Sequence, residues 1–227
     1  MFELSPQEIE AALLSLKIAG VATLAALPIA VMIGFALSRS FPGHGLLNAA
    51  THLPLVLPPV VTGYALLVLF GRHGPVGAFL AEHFGVVFAF RWTGAALAAA
   101  TMSFPLLVRP IRLSFEAVDP RLPQVARSLG AGRLWSFLLV ELPLALPGVF
   151  AGAALGFAKA LGEFGATITF VSNIPGETRT IPAAIYSLIQ SPDGDVGALR
   201  LALLATALAV AAVLLSEAMQ RRAGRRA

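Results

Sequence analysis

Five apolar runs, at residues 9–37, 56–70, 92–108, 144–161 (or on to 171) and 196–219, leave little of the chain for anything else. A helix crossing a hydrocarbon layer of roughly 30 Å needs about 20 mostly apolar residues, so a chain of this length holds about five or six crossings joined by short connections. Only 12% of the residues are charged, where a soluble domain has about 25%. This excludes a water-soluble globular protein and leaves no length for a large water-facing domain. The expected fold class is all-α integral membrane, with five crossings in one domain over residues 1–227.

There are no cysteines, which removes disulfides, thiolate metal sites and a cysteine nucleophile together. Of 16 basic residues 14 are Arg, and they sit mainly at the ends of apolar runs. That distribution reflects membrane topology and not nucleic-acid binding. Arg39, Arg109, Arg112, Arg121, Arg127, Arg133 and the tail Arg221, Arg222, Arg225 and Arg226 fall on one side; Arg72, Arg91, Arg179 and Arg200 fall on the other. Since positive residues are kept in the cytoplasm, the N-terminus is expected outside, and the 109–135 connection and the C-terminus inside. The first ten residues carry Glu3, Glu8 and Glu10 and no base, unlike a secretory signal, so they are expected to be retained.

Pro54, Pro58 and Pro59 remove amide donors at the start of the second run, which predicts a kinked or irregular entry there. Such backbone lies against protein or a water-filled path, or else forms a simple loop-to-helix transition at the interface. In the 71–91 connection an apolar piece at 85–90 is expected to dip into the interface. Residues 181–189 are too few to span, and are expected to form a short helix at the outer face.

Between the third and fourth runs, residues 116–135 form a cytoplasmic segment. Pro120 and Pro123 suit a helix start, with Asp119 or Glu116 as caps. Leu122, Val125, Ala126 and Leu129 then fall at i, i+3, i+4 and i+7, predicting a short amphipathic helix ending near Gly130. Its apolar face suits a groove on a cytoplasmic partner or a flat position on membrane lipid.

Gln124-Val125-Ala126, then Gly130, then Val140-x-Leu142-Pro143 resembles the EAA signature of ABC-importer membrane subunits. The chain departs from it at Gln124 for Glu, Val125 for Ala and Val140 for Ile. The stretches 54–64, 116–121, 142–148 and 160–167 are similar to the molybdate and sulfate branch of these permeases, and the chain's length is similar to molybdate permeases. The resemblance implies a type I importer permease whose coupling helix, with Glu116, Leu122, Gln124, Val125, Ala126, Leu129, Gly130, Leu142 and Pro143, meets a cytoplasmic ABC ATPase. It also implies two ATPase copies, a second permease subunit in a homodimer or in a heterodimer with a related permease, and an external oxyanion-binding protein, all at the bacterial inner membrane. Molybdate is the expected cargo, with sulfate, thiosulfate or tungstate as alternatives.

No G-x-x-x-x-G-K-[ST] occurs, and neither Lys17 nor Lys159 follows a glycine. No cofactor is therefore expected on this chain, ATP and Mg residing on the partner ATPase. Gly148, Gly152, Gly156 and Ala160 recur at steps of four, which predicts a close helix contact within the subunit or across the dimer. Lys159 and Glu163 lie one turn apart inside an apolar segment, either neutralising each other or lining the path. Pro58, Pro59, Thr62, Glu163 and Thr167 are the candidate path or gate residues. A carboxylate repels a dianion, so Glu163 is expected to hold structure or pair with a cation and not to bind the oxyanion directly. His44, His52, His73 and His83 lack metal-ligand spacing, and no nucleophile has an evident base, so neither a metal site nor catalysis is expected. A secondary transporter would need paired broken repeats, and a lipid enzyme clustered His, Asp or Arg near an interface; the chain has neither pattern.

Overall fold

A computed structural model describes residues 4–224, with side chains to Ala218 except that of Ser216. Glu3, Arg225 and Arg226 lie outside the described residues, as do the side chains of Arg221 and Arg222. Every described element is helical: α1 (Pro6–Leu37), α2 (His44–Val56), α3 (Pro59–Phe70), α4 (Pro75–Phe84), α5 (Trp92–Glu116), α6 (Arg121–Ser128), α7 (Arg133–Ser136), a π-helical turn (Phe137–Glu141), α8 (Leu142–Leu161), α9 (Gly165–Val171), α10 (Ile181–Leu188) and α11 (Asp195–Gly224). Four spans are long and apolar enough to cross a membrane: α1, α5, the unit Arg133–Leu161 and α11. A fifth results if α2 and α3, which meet at 112°, are one broken span.

α1 starts where its sequence provides a cap. The Glu8 amide donates to Ser5 Oγ and the Ser5 amide to Glu8 Oε2, satisfying two donors that a helix start otherwise leaves free, with Pro6 in the first turn. Glu8 is buried and also accepts from Arg200 of α11, Nη2 to Oε1 at 2.9 Å. Ser15 accepts the Ile181 amide at 2.7 Å. α1, α10 and α11 are therefore fastened together at the end of the bundle opposite the Arg39 end.

α5 is the most enclosed of the long helices and α11 the least. Small residues allow the close packing around α5: a Cβ placed on Gly34 of α1 would lie 2.8 Å from Ile111 Cγ2. On α8 the same test puts Gly148 at 2.1 Å from Ser114 Oγ, Gly152 at 2.5 Å from the Leu107 carbonyl and Gly156 at 2.5 Å from Leu107 Cγ. The four-residue glycine spacing thus faces α5 within the subunit. In lipid, where burying apolar surface does not drive association, such backbone approach supplies the packing.

The kinked entry expected at the prolines is present: the chain is helical from His44, with Pro54 inside α2, and it breaks at Leu57–Pro58, where α2 and α3 meet at 112°. Pro58 and Pro59 have no amide hydrogens, so the Pro54 and Leu55 carbonyls lose their i+4 donors and the helix cannot continue. In the 71–91 connection α4 precedes the apolar piece at 85–90 and ends at Gly85, at φ +66. The fourth run does not continue to Val171; α8 stops at Leu161 and α9 restarts at Gly165. The short helix near 181–189 forms as α10.

Candidate functional site

Leaving α5, the chain turns at Ala117 and enters α6, where Asp119 Oδ1 accepts the Arg121 amide at 2.8 Å. Glu116 does not cap it; its carboxylate takes Arg112 Nε at 2.7 Å, one turn back on α5. α6 ends at Ser128, and Gly130 follows at φ +93, a conformation that favours glycine. Leu122, Val125 and Leu129 are exposed at 45%, 56% and 83%. Gln124 is exposed and Ala126 half-buried. Leu122, Val125 and Leu129 are thus presented outward, while Ala126 is partly covered by the chain.

The helix is nonetheless anchored. Pro123 is buried, and its carbonyl accepts the hydroxyl of buried Ser136 at 3.3 Å. Ser136 leads directly into the π turn, where the Leu142 amide bonds to the Phe137 carbonyl. Pro143 follows at once. It offers no donor to the Leu139 carbonyl, and a wider turn takes that carbonyl off the proline ring. Leu142 and Pro143 therefore shape the entry to α8.

Behind the π turn lies a joint the sequence pattern did not reveal. Glu141 is buried and pairs with Arg39, just past the end of α1. The Arg39 guanidinium also lies over the Phe35 ring, 4.5 Å from its centroid. Phe35 meets Phe137 at 4.7 Å and Phe115 at 5.2 Å, both edge-on, and Phe115 stacks on Phe137 at 5.9 Å. Three rings from α1, α5 and the π turn close one cluster beneath α6. The available signal was Glu141 itself, a lone acid inside an apolar stretch, which is costly there unless paired.

The candidate path residues divide. Pro58 and Pro59, at the α2–α3 break, are exposed. Thr62, Glu163 and Thr167 are buried within the chain. The Thr62 hydroxyl has no hydrogen-bond partner. Glu163 takes Lys159 Nζ at 2.8 Å and the Ala166 amide at 3.0 Å, so it neutralises the lysine and caps α9 together. α9 lies tight on α3: a Cβ on Gly165 would sit 2.6 Å from Pro59 Cβ, and one on Gly63 2.5 Å from the Ala166 carbonyl. The Gly-Glu-Phe-Gly segment thus braces the broken span. Among the described residues, no group of three His, Asp or Glu is placed to hold a metal ion.

Residues 26–227 match the family model described as binding-protein-dependent transport system inner membrane component. The chain is 56% identical over 227 residues to the molybdenum transport system permease protein ModB of Escherichia coli (strain K12), covering 98% of this chain and 99% of that one. It is 52% identical over 216 residues to the protein of the same name from Haemophilus influenzae, covering 95% and 94%. Among solved structures, a bacterial ABC transporter involved in import of the acidic polysaccharide alginate superposes with TM-score 0.74 at 18% identity, over 96% of this chain and 80% of that one. An amino acid ABC transporter gives TM-score 0.64 at 21% identity, over 96% and 94%; both likenesses concern the fold. A match over most of the chain, with near full-length relatives above half identity, leaves one assignment: the chain belongs to the family of binding-protein-dependent transport system inner membrane components.

Proposed function

We propose that this chain is the permease subunit of an ATP-driven importer of molybdate, and that its arginine-rich end faces the cytoplasm, with the N-terminus outside. The observation that carries this is α6: a short helix with Leu122, Val125 and Leu129 exposed, held by Pro123 to the root of α8. An apolar face on a water-exposed helix needs a partner, and a helix-in-groove contact with a separate ATPase satisfies it. Molybdate follows from the names of the ModB relatives.

Two copies pair by two-fold symmetry and present two coupling helices to two ATPases, which carry ATP and Mg. An external binding protein delivers the anion. ATP binding draws the ATPases together, α6 transmits that displacement through the Ser136–Pro123 bond, and the crossings shift from inward-open to outward-open packing. The ATPase contact has to favour one packing by a few kcal/mol, about the scale that moves a two-state population. The path runs beside the α2–α3 break. Backbone carbonyls without donors at membrane depth need water or protein beside them, and Pro58 and Pro59 are exposed there. Glu163 braces the gate from behind.

The test is reconstitution with the ATPase and the binding protein, measuring ATP turnover and anion uptake. Molybdate-loaded binding protein should stimulate both. Stimulation by sulfate alone would overturn the cargo assignment, and uptake without the ATPase would overturn the mechanism.

A further inference from the structure

At the end of the bundle opposite α6, the α3–α4 turn and the segment before α5 enclose a cavity of about 820 Å³. Arg72, His73 and Arg91 all line it, and no acidic residue does. None of the three side chains has a hydrogen bond or ion pair among the described residues, whereas Arg179, on the 173–194 connection, donates to Asn173 at 3.0 Å. Two guanidiniums and an imidazole line one concavity that carries no carboxylate, so it presents donors to an anion. A guanidinium's forked donors match a tetrahedral oxyanion geometrically as well as in charge.

The cavity is built and not incidental. A Cβ on Gly71 would lie 2.2 Å from the Leu67 carbonyl, and one on Gly74 2.3 Å from the Val68 carbonyl, so the turn that carries Arg72 and His73 is pinned to the end of α3. On the facing wall Phe90 adopts φ +59. That is an outlier for a bulky side chain, and such conformations persist only where the surroundings hold them, often at ligand clamps. Its neighbour Arg91 donates its amide to the Phe88 carbonyl at 3.2 Å, which fixes where the guanidinium starts.

We infer that this cavity binds a tetrahedral oxyanion through Arg72 and Arg91, with His73 as an additional donor. The oxyanion is either a free dianion of the molybdate type or the phosphate of an anionic lipid at that membrane surface. The site needs no ATPase and no second subunit, so its binding test is separable from the uptake test above.

The full chain is placed in phosphatidylcholine nanodiscs and titrated with molybdate by calorimetry; in parallel, native mass spectrometry counts phosphatidylglycerol retained from mixed nanodiscs. Arg72→Gln and Arg91→Gln are compared with Arg72→Lys, which keeps the charge, and with Arg109→Gln at the other end. Losing one charge-assisted contact should weaken binding about tenfold, and added salt should weaken it further. Molybdate binding that drops in both Gln variants, less in the Lys variant and not in Arg109→Gln identifies a free-anion site. The same pattern in retained phosphatidylglycerol identifies a lipid-phosphate site. If neither ligand distinguishes the two Gln variants from Arg109→Gln, with all proteins monodisperse, the inference is overturned.

Discussion

The Ser136 hydroxyl donates to the Pro123 carbonyl at 3.3 Å, and this bond joins the first turn of α6 to the segment from which α8 rises. Both residues are buried. Around it the Phe35, Phe115 and Phe137 rings and the Arg39–Glu141 pair tie the same root to α1 and α5. The root of α6 is thus in packed contact with three crossings, a connection through which a displacement of α6 can be passed on.

Ser136→Ala removes the hydroxyl that ties α6 to the root of α8 while the Pro123 carbonyl keeps its helical donor within α6, so the expected cost is about 0.5–1.5 kcal/mol. The variant should insert and bind the ATPase, yet the ATPase should respond less to loaded binding protein. Basal and stimulated ATP turnover, measured side by side, read this out, and stimulation unchanged from the parent would remove Ser136 from the linkage.

The α5–α8 contact predicts a graded response to small changes. Gly152→Ala places a methyl 2.5 Å from the Leu107 carbonyl, and overpacking of this kind costs about 1–3 kcal/mol. Gly20→Ala on α1 meets nothing within 4 Å and should be neutral or stabilising by up to about 1 kcal/mol. Thermal unfolding in detergent should separate the two, with only Gly152→Ala lowering Tm.

Lys159→Met strands the Glu163 carboxylate, which is 3% exposed. Breaking one side of a fully buried pair costs about 3–5 kcal/mol. The Lys159 side chain is 31% exposed, so solvent screening reduces the expected loss to about 2 kcal/mol. Lys159→Met/Glu163→Gln should be milder than Lys159→Met alone, since no charge is left buried. Unfolding temperatures of the single and double variants decide the order.

The break between α2 and α3 is a further target. Pro58→Ala/Pro59→Ala restores two amide donors and removes a helix penalty of about 3 kcal/mol per proline, so the span should straighten. Insertion should persist while uptake falls, because α3 would lose its seat against α9 at Gly165. Full uptake by a straightened span would show that the break serves only as a connection.

Much of this architecture was legible in the sequence because lipid imposes a simple rule. Long apolar runs must become helices, and α1, α5, α8 and α11 follow from that alone. Four-residue glycine spacing announced a close contact, while the identity of the partner, α5, needed the tertiary structure. The stripe at Leu122, Val125 and Leu129 was readable because helical period fixes which residues share a face. Contacts joining distant residues were not readable: Arg39 and Glu141 are 102 positions apart, and no local pattern pairs them. The three prolines announced the kink, and of them Pro58 and Pro59 make the break while Pro54 stays inside α2.

The central claim is that α6 is the surface on which a separate ATPase acts. With no native cysteine in the chain, Leu129→Cys gives a single label site at a side chain 83% exposed. A membrane-impermeant maleimide should react with it in inside-out vesicles, not in right-side-out ones, and the bound ATPase should protect it. Labelling from the outside, or undiminished labelling with the ATPase in place, would contradict the account.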